Sequence, residues 1–118
     1  MATINGVEID LRANEGMRVE ARRYRQWKAD GRQGGTSVAR DKARQILSGQ
    51  DIPADWVIEM SAWFARHEVD KQGQGFRQGD EGYPSPGRVA WAAWGGDAGQ
   101  AWSNRKAEQI KKAREQEP

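Results

Sequence analysis

Along the chain the apolar positions first alternate and then recur at helical spacing. In the opening TINGVEIDL (residues 3–11), Val7, Ile9 and Leu11 alternate with Glu8 and Asp10, the period of a half-buried strand. Asn5-Gly6 is a turn dipeptide. One short strand cannot stand alone. Residues 1–14 therefore read either as a loose arm or as a strand offered to another chain through Ile4, Val7 and Ile9. From residue 15 the period becomes helical. Met17, Ala21, Tyr24 and Trp27 share one face of a first helix over 15–30, with Asn14 placed to cap it and Gly31 to end it. Arg18, Arg22 and Arg25 fall largely outside that face. Ser37 is placed to cap a second helix over 38–48, with Ala39, Ala43, Ile46 and Leu47 inward.

The strongest helical period runs from about Pro53 to Val69, with Trp56, Val57, Met60, Trp63, Phe64 and His67 on a wide apolar stripe. This segment is expected to be the central core helix. The core itself is expected to hold Ile46, Trp56, Met60, Phe64, Val89 and Trp91. Five glycines and two prolines over 71–87 forbid regular structure and predict a long loop. Ser85-Pro86 then opens a short fourth helix that stops at Gly95-Gly96. Asp97 and Gln100 have the spacing of a capping box for a fifth helix, whose last turns are polar and expected to project or fray. The expected fold is mainly α: a compact single domain of four to five helices, with a long Gly-rich loop and a short N-terminal β-type arm. It divides into the arm (1–14), the helical domain (15–103) and a charged helical tail (104–118).

Composition narrows the chemistry. The 118 residues include no Cys and one His, which excludes disulfides, thiolate metal sites and two-His zinc motifs. No apolar run approaches the roughly 20 residues a membrane span needs, so a protein made in the cytoplasm is expected. The mean hydropathy of −0.98 is low, yet six Trp oppose general disorder. The net charge of +2 hides a segregation. Residues 12–44 carry ten Lys/Arg against four Asp/Glu, whereas 51–70 carry five acids against Arg66. The basic half is either a solvated face matched to the acidic middle or a footprint for an acidic or phosphate-bearing partner.

The most unusual segment is 91–102, WAAWGGDAGQAW, where three indoles surround a Gly-rich turn that opens a helix. Two readings apply. Glycines and helix N–H groups can admit an anion, and indoles can stack on a base. The ligand set would then be Arg66, His67, Arg88, Trp94, Gly95, Gly96 and Asp97. Alternatively the segment is a close-packed helix corner, with Asp97 already using the free N–H groups. Asp70, Asp80, Glu81 and Asp97 flank the glycine loop without the alternation of a calcium loop, and His67-Glu68 lacks the second His of a zinc helix. The expected partner of His67 is an acid in the glycine loop. No G-x-S-x-G or P-loop signature is present. Neither a catalytic residue, a metal site nor a cofactor is assigned.

ARHEVDKQGQGF (65–76), GYPSPGRVAWAAWGGDAG (82–99) and Ala101-Trp102 together resemble a small domain encoded by tailed bacteriophages, as does GRQGGTSVARDKAR (31–44) upstream. The similarity covers residues 20–105, and Ile52-Pro53 stands where similar sequences often have Ser-Pro. The resemblance implies a phage structural gene, free-standing or joined to head-region proteins. The expected function is a non-enzymatic virion protein, capsid-associated or decoration-type, that binds capsid or other head proteins and is compatible with a homo-oligomer. Attachment is expected through Ile4, Val7, Ile9, Arg18, Arg22 and Arg25. The alternative is an accessory module that captures a nucleotide-like anion or nucleic acid at the Trp/Gly corner.

Overall fold

The computed structural model describes residues 1–116. It is mainly α-helical, with five α-helices and a small N-terminal sheet. Strands β1 (Ala2–Ile4) and β2 (Val7–Ile9) precede α1 (Glu15–Ala29), α2 (Ser37–Leu47) and α3 (Ala54–His67). A 3-10 turn (Glu68–Gln72), α4 (Pro86–Ala93) and α5 (Gly96–Glu115) follow. No helix among the described residues is long and apolar enough to cross a membrane.

The arm is not one strand but a hairpin. Ala2 pairs with Ile9, Thr3 with Glu8 and Ile4 with Val7. Asn5 (φ 49°) and Gly6 (φ 81°) make the tight turn, the left-handed pair that a two-residue hairpin loop requires. The hairpin lies on α5. Ile9, Leu11 and Ala13 are buried, with Ile4 and Val7 half-buried against the same core. Asn5 donates through Nδ2 to the carbonyls of Ala113 (3.0 Å) and Gln116 (2.5 Å), adding side-chain donors to the end of α5. Leu11 donates to Asp51 Oδ1 at 2.9 Å and accepts from Ile52 N–H at 2.8 Å, tying the hairpin to the start of α3.

Helix ends follow local chemistry. Asn14 Oδ1 accepts from Met17 N–H at 3.0 Å and Ser85 Oγ from Arg88 N–H at 3.1 Å, with Pro86 first in its helix. The cap of α2 is Thr36, one residue before the expected Ser37, its Oγ1 accepting from Ala39 N–H at 3.4 Å. Helix α3 ends at His67, two residues early, because the chain tightens into the 3-10 turn.

Helix α5 is the spine. It packs on α3 and α1, while α4 crosses α1 and α2. Trp63, Phe64, Trp91, Trp94 and Trp102 are buried, as are Ile46, Met60 and Val89. Trp56 departs from the expected core: it is half-buried, and Lys42 Nζ sits 3.5 Å from its ring centre. The charged tail does not fray over its described part. Ala107, Ile110 and Ala113 keep α5 inward to Glu115, while residues 117–118 lie outside the described part. The Gly-rich segment is non-regular but held in place. Ser85 N–H donates to Gly75 O at 2.8 Å, Phe76 packs edge-on against Trp91, and Tyr83 packs edge-on against Trp27.

Candidate functional site

The WGGDAG corner is where α4 turns into α5. Trp94 ends the short helix, and Gly95, at φ 108°, reverses the chain in a conformation other residues resist. Gly95 is the cap of α5, not Asp97. The reason is geometric: the left-handed glycine starts the helix two residues early, so Asp97 lies inside its first turn. Its carboxylate instead accepts from the buried Trp91 Nε1 at 2.9 Å and pairs with Lys71 Nζ at 3.3 Å. Gln100 is likewise drawn away from a capping role. It accepts from Lys71 at 3.2 Å and donates to Glu68 at 2.5 Å, so the 3-10 turn is strapped to α5.

The glycines are filled by neighbours. A side chain at Gly96 would overlap the Glu20 carboxylate, and one at Gly99 would lie 2.5 Å from the Trp94 carbonyl oxygen. At Gly95 the neighbours are Gly99 Cα at 3.0 Å and Met17 Cγ at 3.3 Å. The glycines therefore admit α1 and the protein's own backbone, not an outside molecule. The indoles are equally engaged. Trp94 stacks on Trp63 at 4.6 Å, and Trp63 stacks in turn on His67 at 4.2 Å. Trp91 meets Phe64 edge-on at 4.7 Å.

The expected ligand set is only partly assembled. Arg88, Trp94, Gly95, Gly96 and Asp97 meet at the corner, and His67 reaches it through the ring stack. Arg66 is exposed at the end of α3 and does not join them. The expected acid partner of His67 is replaced by the carbonyl of Trp63, one helical turn back, which accepts from Nδ1 at 2.8 Å. Arg88 is nearly enclosed. Its Nη2 pairs with Glu20 at 2.8 Å, and its guanidinium lies 5.2 Å from the Trp27 ring centre and 5.8 Å from that of Phe76. Its Nη1 is buried without a hydrogen-bond acceptor, and the two rings beside the guanidinium replace part of the lost hydration.

A cavity of about 280 Å³ beside the corner is lined by Glu20, Arg23, Phe76, Arg88, Trp91, Asp97 and Ala98. Two guanidinium groups face two carboxylates there, so the cavity is electrically balanced and ill suited to a nucleotide anion. Glu20, Arg23 and Phe76 escape sequence reasoning because they come from α1 and the loop, brought in only by packing. Among the described residues no three His, Asp or Glu side chains gather closely enough to hold a metal ion.

The expected attachment residues are also redistributed. Ile9 is buried, and Ile4 and Val7 turn toward the hairpin's own core, because β1 supplies the partner strand that β2 needs. Arg18 and Arg22 both pair with Glu15, at 3.0 and 2.7 Å, and Arg18 also reaches the Ala13 carbonyl at 2.6 Å. Arg25 remains exposed, on a cleft between α1 and α2. Compared with family models, curated proteins and solved structures, the chain matches none of them.

Proposed function

We propose that the protein is a non-enzymatic structural component of a tailed-phage virion, capsid-associated or decoration-type, that binds other head proteins. The phage association rests on the ARHEVDK and GYPSPGRVAWAAWGGDAG segments. The observation that carries a structural over a ligand-binding role is the occupancy of the corner. Its glycines are filled by Glu20, Met17 and backbone, and its indoles are stacked or hydrogen-bonded inside the domain. The motif thus builds a stiff scaffold, and contact with partners falls to the outer surface. Among the described residues strand β1 has β2 on one side and no strand on the other, which leaves one edge able to extend a partner's sheet.

The test is mass spectrometry of purified particles of the encoding phage. The protein is expected at a fixed stoichiometry to the major head protein, retained through density-gradient purification. Detection in infected cells but not in purified particles would overturn the reading.

A further inference from the structure

We infer that the cleft between α1 and α2 is a phosphate-backbone site for nucleic acid, read without regard to base sequence. The basic surplus of residues 12–44 is not spread evenly once contacts are drawn. Arg12 pairs with Asp10, Arg18 and Arg22 with Glu15, Arg23 with Glu20, and the buried Lys42 with Glu59. Arg25, Lys28, Arg32 and Arg40 make no ion pair among the described residues, and all but Arg32 line one cleft of about 310 Å³. Arg44 completes its rim, held only loosely by Asp41 at 3.6 Å. Lys28 donates to the Gly34 carbonyl, a neutral acceptor, at 3.1 Å. No carboxylate lines the cleft.

The cavity at the corner is charge-balanced. The one beside the hairpin also gathers cations, Arg12, Arg18, Arg105 and Lys106, but it holds the Asp10 carboxylate, and Arg12 and Arg18 are already paired with Asp10 and Glu15. Four cations around a narrow cleft suit a phosphodiester chain, since guanidinium groups bind phosphate oxygens in pairs. An acidic protein surface fits less well. Stable protein interfaces centre on buried aromatic or aliphatic anchors, whereas Tyr24 and Ala43, the apolar residues here, are already buried in the domain. The lining offers no exposed ring on which a base can stack, hence backbone contact alone.

The test uses the purified full chain and a short fluorescently labelled random-sequence DNA duplex, with binding followed by anisotropy between about 50 and 200 mM salt. Neutralising three to four phosphates gives a slope of log K against log salt of about −3. Arg25→Gln and Arg40→Gln are each expected to flatten that slope by about one, while Arg40→Lys keeps most of the binding. Lys111→Gln and Lys112→Gln remove the same net charge from exposed positions on α5 and are expected to change little. All these variants lie on the surface, and their melting temperatures verify the fold. The proposal fails if the duplex does not bind at the lowest salt. It also fails if the α5 variants weaken binding as much as the cleft variants. Displacement of the duplex by poly-glutamate at equal charge concentration would overturn it in favour of an acidic protein partner. None of these outcomes depends on whether the protein is found in virions.

Discussion

Lys42 shows what one buried charge demands of its surroundings. Its side chain is about 4% exposed, yet its ammonium pairs with Glu59 and lies over the rings of Trp56 (3.5 Å) and Trp94 (5.3 Å). A desolvated ammonium needs both a counter-charge and polarisable faces, which explains why Trp56 remains half-open instead of sinking into the core. Tyr24 carries the opposite problem. Burial raises its hydroxyl above the ordinary tyrosine pKa, partly offset by the positive charge of Arg40. The folded state therefore holds a proton that the unfolded chain releases above about pH 10, so stability falls as pH rises past that point. Below it, both states are protonated and Tyr24 adds no pH dependence. Tyr24→Phe is expected to leave the melting temperature near pH 7 almost unchanged and to reduce the alkaline loss. Urea melts of both proteins across pH 8 to about 11 check this, and an identical alkaline loss in the variant would contradict it.

At the scale of elements, the junction of α4, α5 and α1 depends on glycines whose missing side chains are replaced by specific atoms. Gly99 faces the Trp94 carbonyl and, at 3.3 Å, the edge of Phe64. Backbone cannot move aside as a flexible side chain can. Gly99→Ala is therefore expected to cost about 1–3 kcal/mol or more through overpacking, despite the better helix propensity of alanine. Gly49 offers the contrast. It has φ 76° but nothing within 4 Å of a built side chain, so Gly49→Ala carries only the left-handed backbone penalty of about 1–2 kcal/mol. Chemical denaturation of both variants measures the difference. A Gly99→Ala protein as stable as wild type would mean that the corner is looser than its contacts imply.

The whole molecule is elongated, 53 × 26 × 22 Å, because α5 runs well past the crossing of α1 and α4. The hairpin covers this overhang, with Asn5 at its end and Leu11 sealing the gap toward α3. The arm is consequently part of the folding unit, not a detachable appendage. Deleting residues 1–11 removes the buried Ile9 and Leu11 and uncovers the surface of α5 on which the hairpin lies. Loss of each large aliphatic side chain costs about 2–5 kcal/mol, against a total stability of roughly 5–15 kcal/mol for a domain. The truncated chain is expected to be largely unfolded or to melt far below the full chain. A truncated protein with unchanged circular dichroism and melting temperature would show that the helical part stands alone.

Much of the fold was legible because helices are local. The Asn14 and Ser85 caps, the Pro86 start and the Met17–Tyr24 and Met60–Phe64 stripes need only near neighbours in sequence, and each lies as its spacing predicts. Asn5-Gly6 also carried the signal of a hairpin turn. The three residues of β1 are too few for their alternation to show the partner strand in sequence. Tertiary structure decided the rest. Asp97 has the chemistry of a cap, but a left-handed glycine two residues earlier and a buried indole N–H assign it elsewhere. Lys42 and Glu59 lie seventeen positions apart, and no periodicity reveals that one will be buried against the other. The surplus charge of residues 12–44 was countable from sequence alone. Its concentration at Arg25, Lys28 and Arg40 was not, because only the folded chain determines which cations have carboxylates within reach.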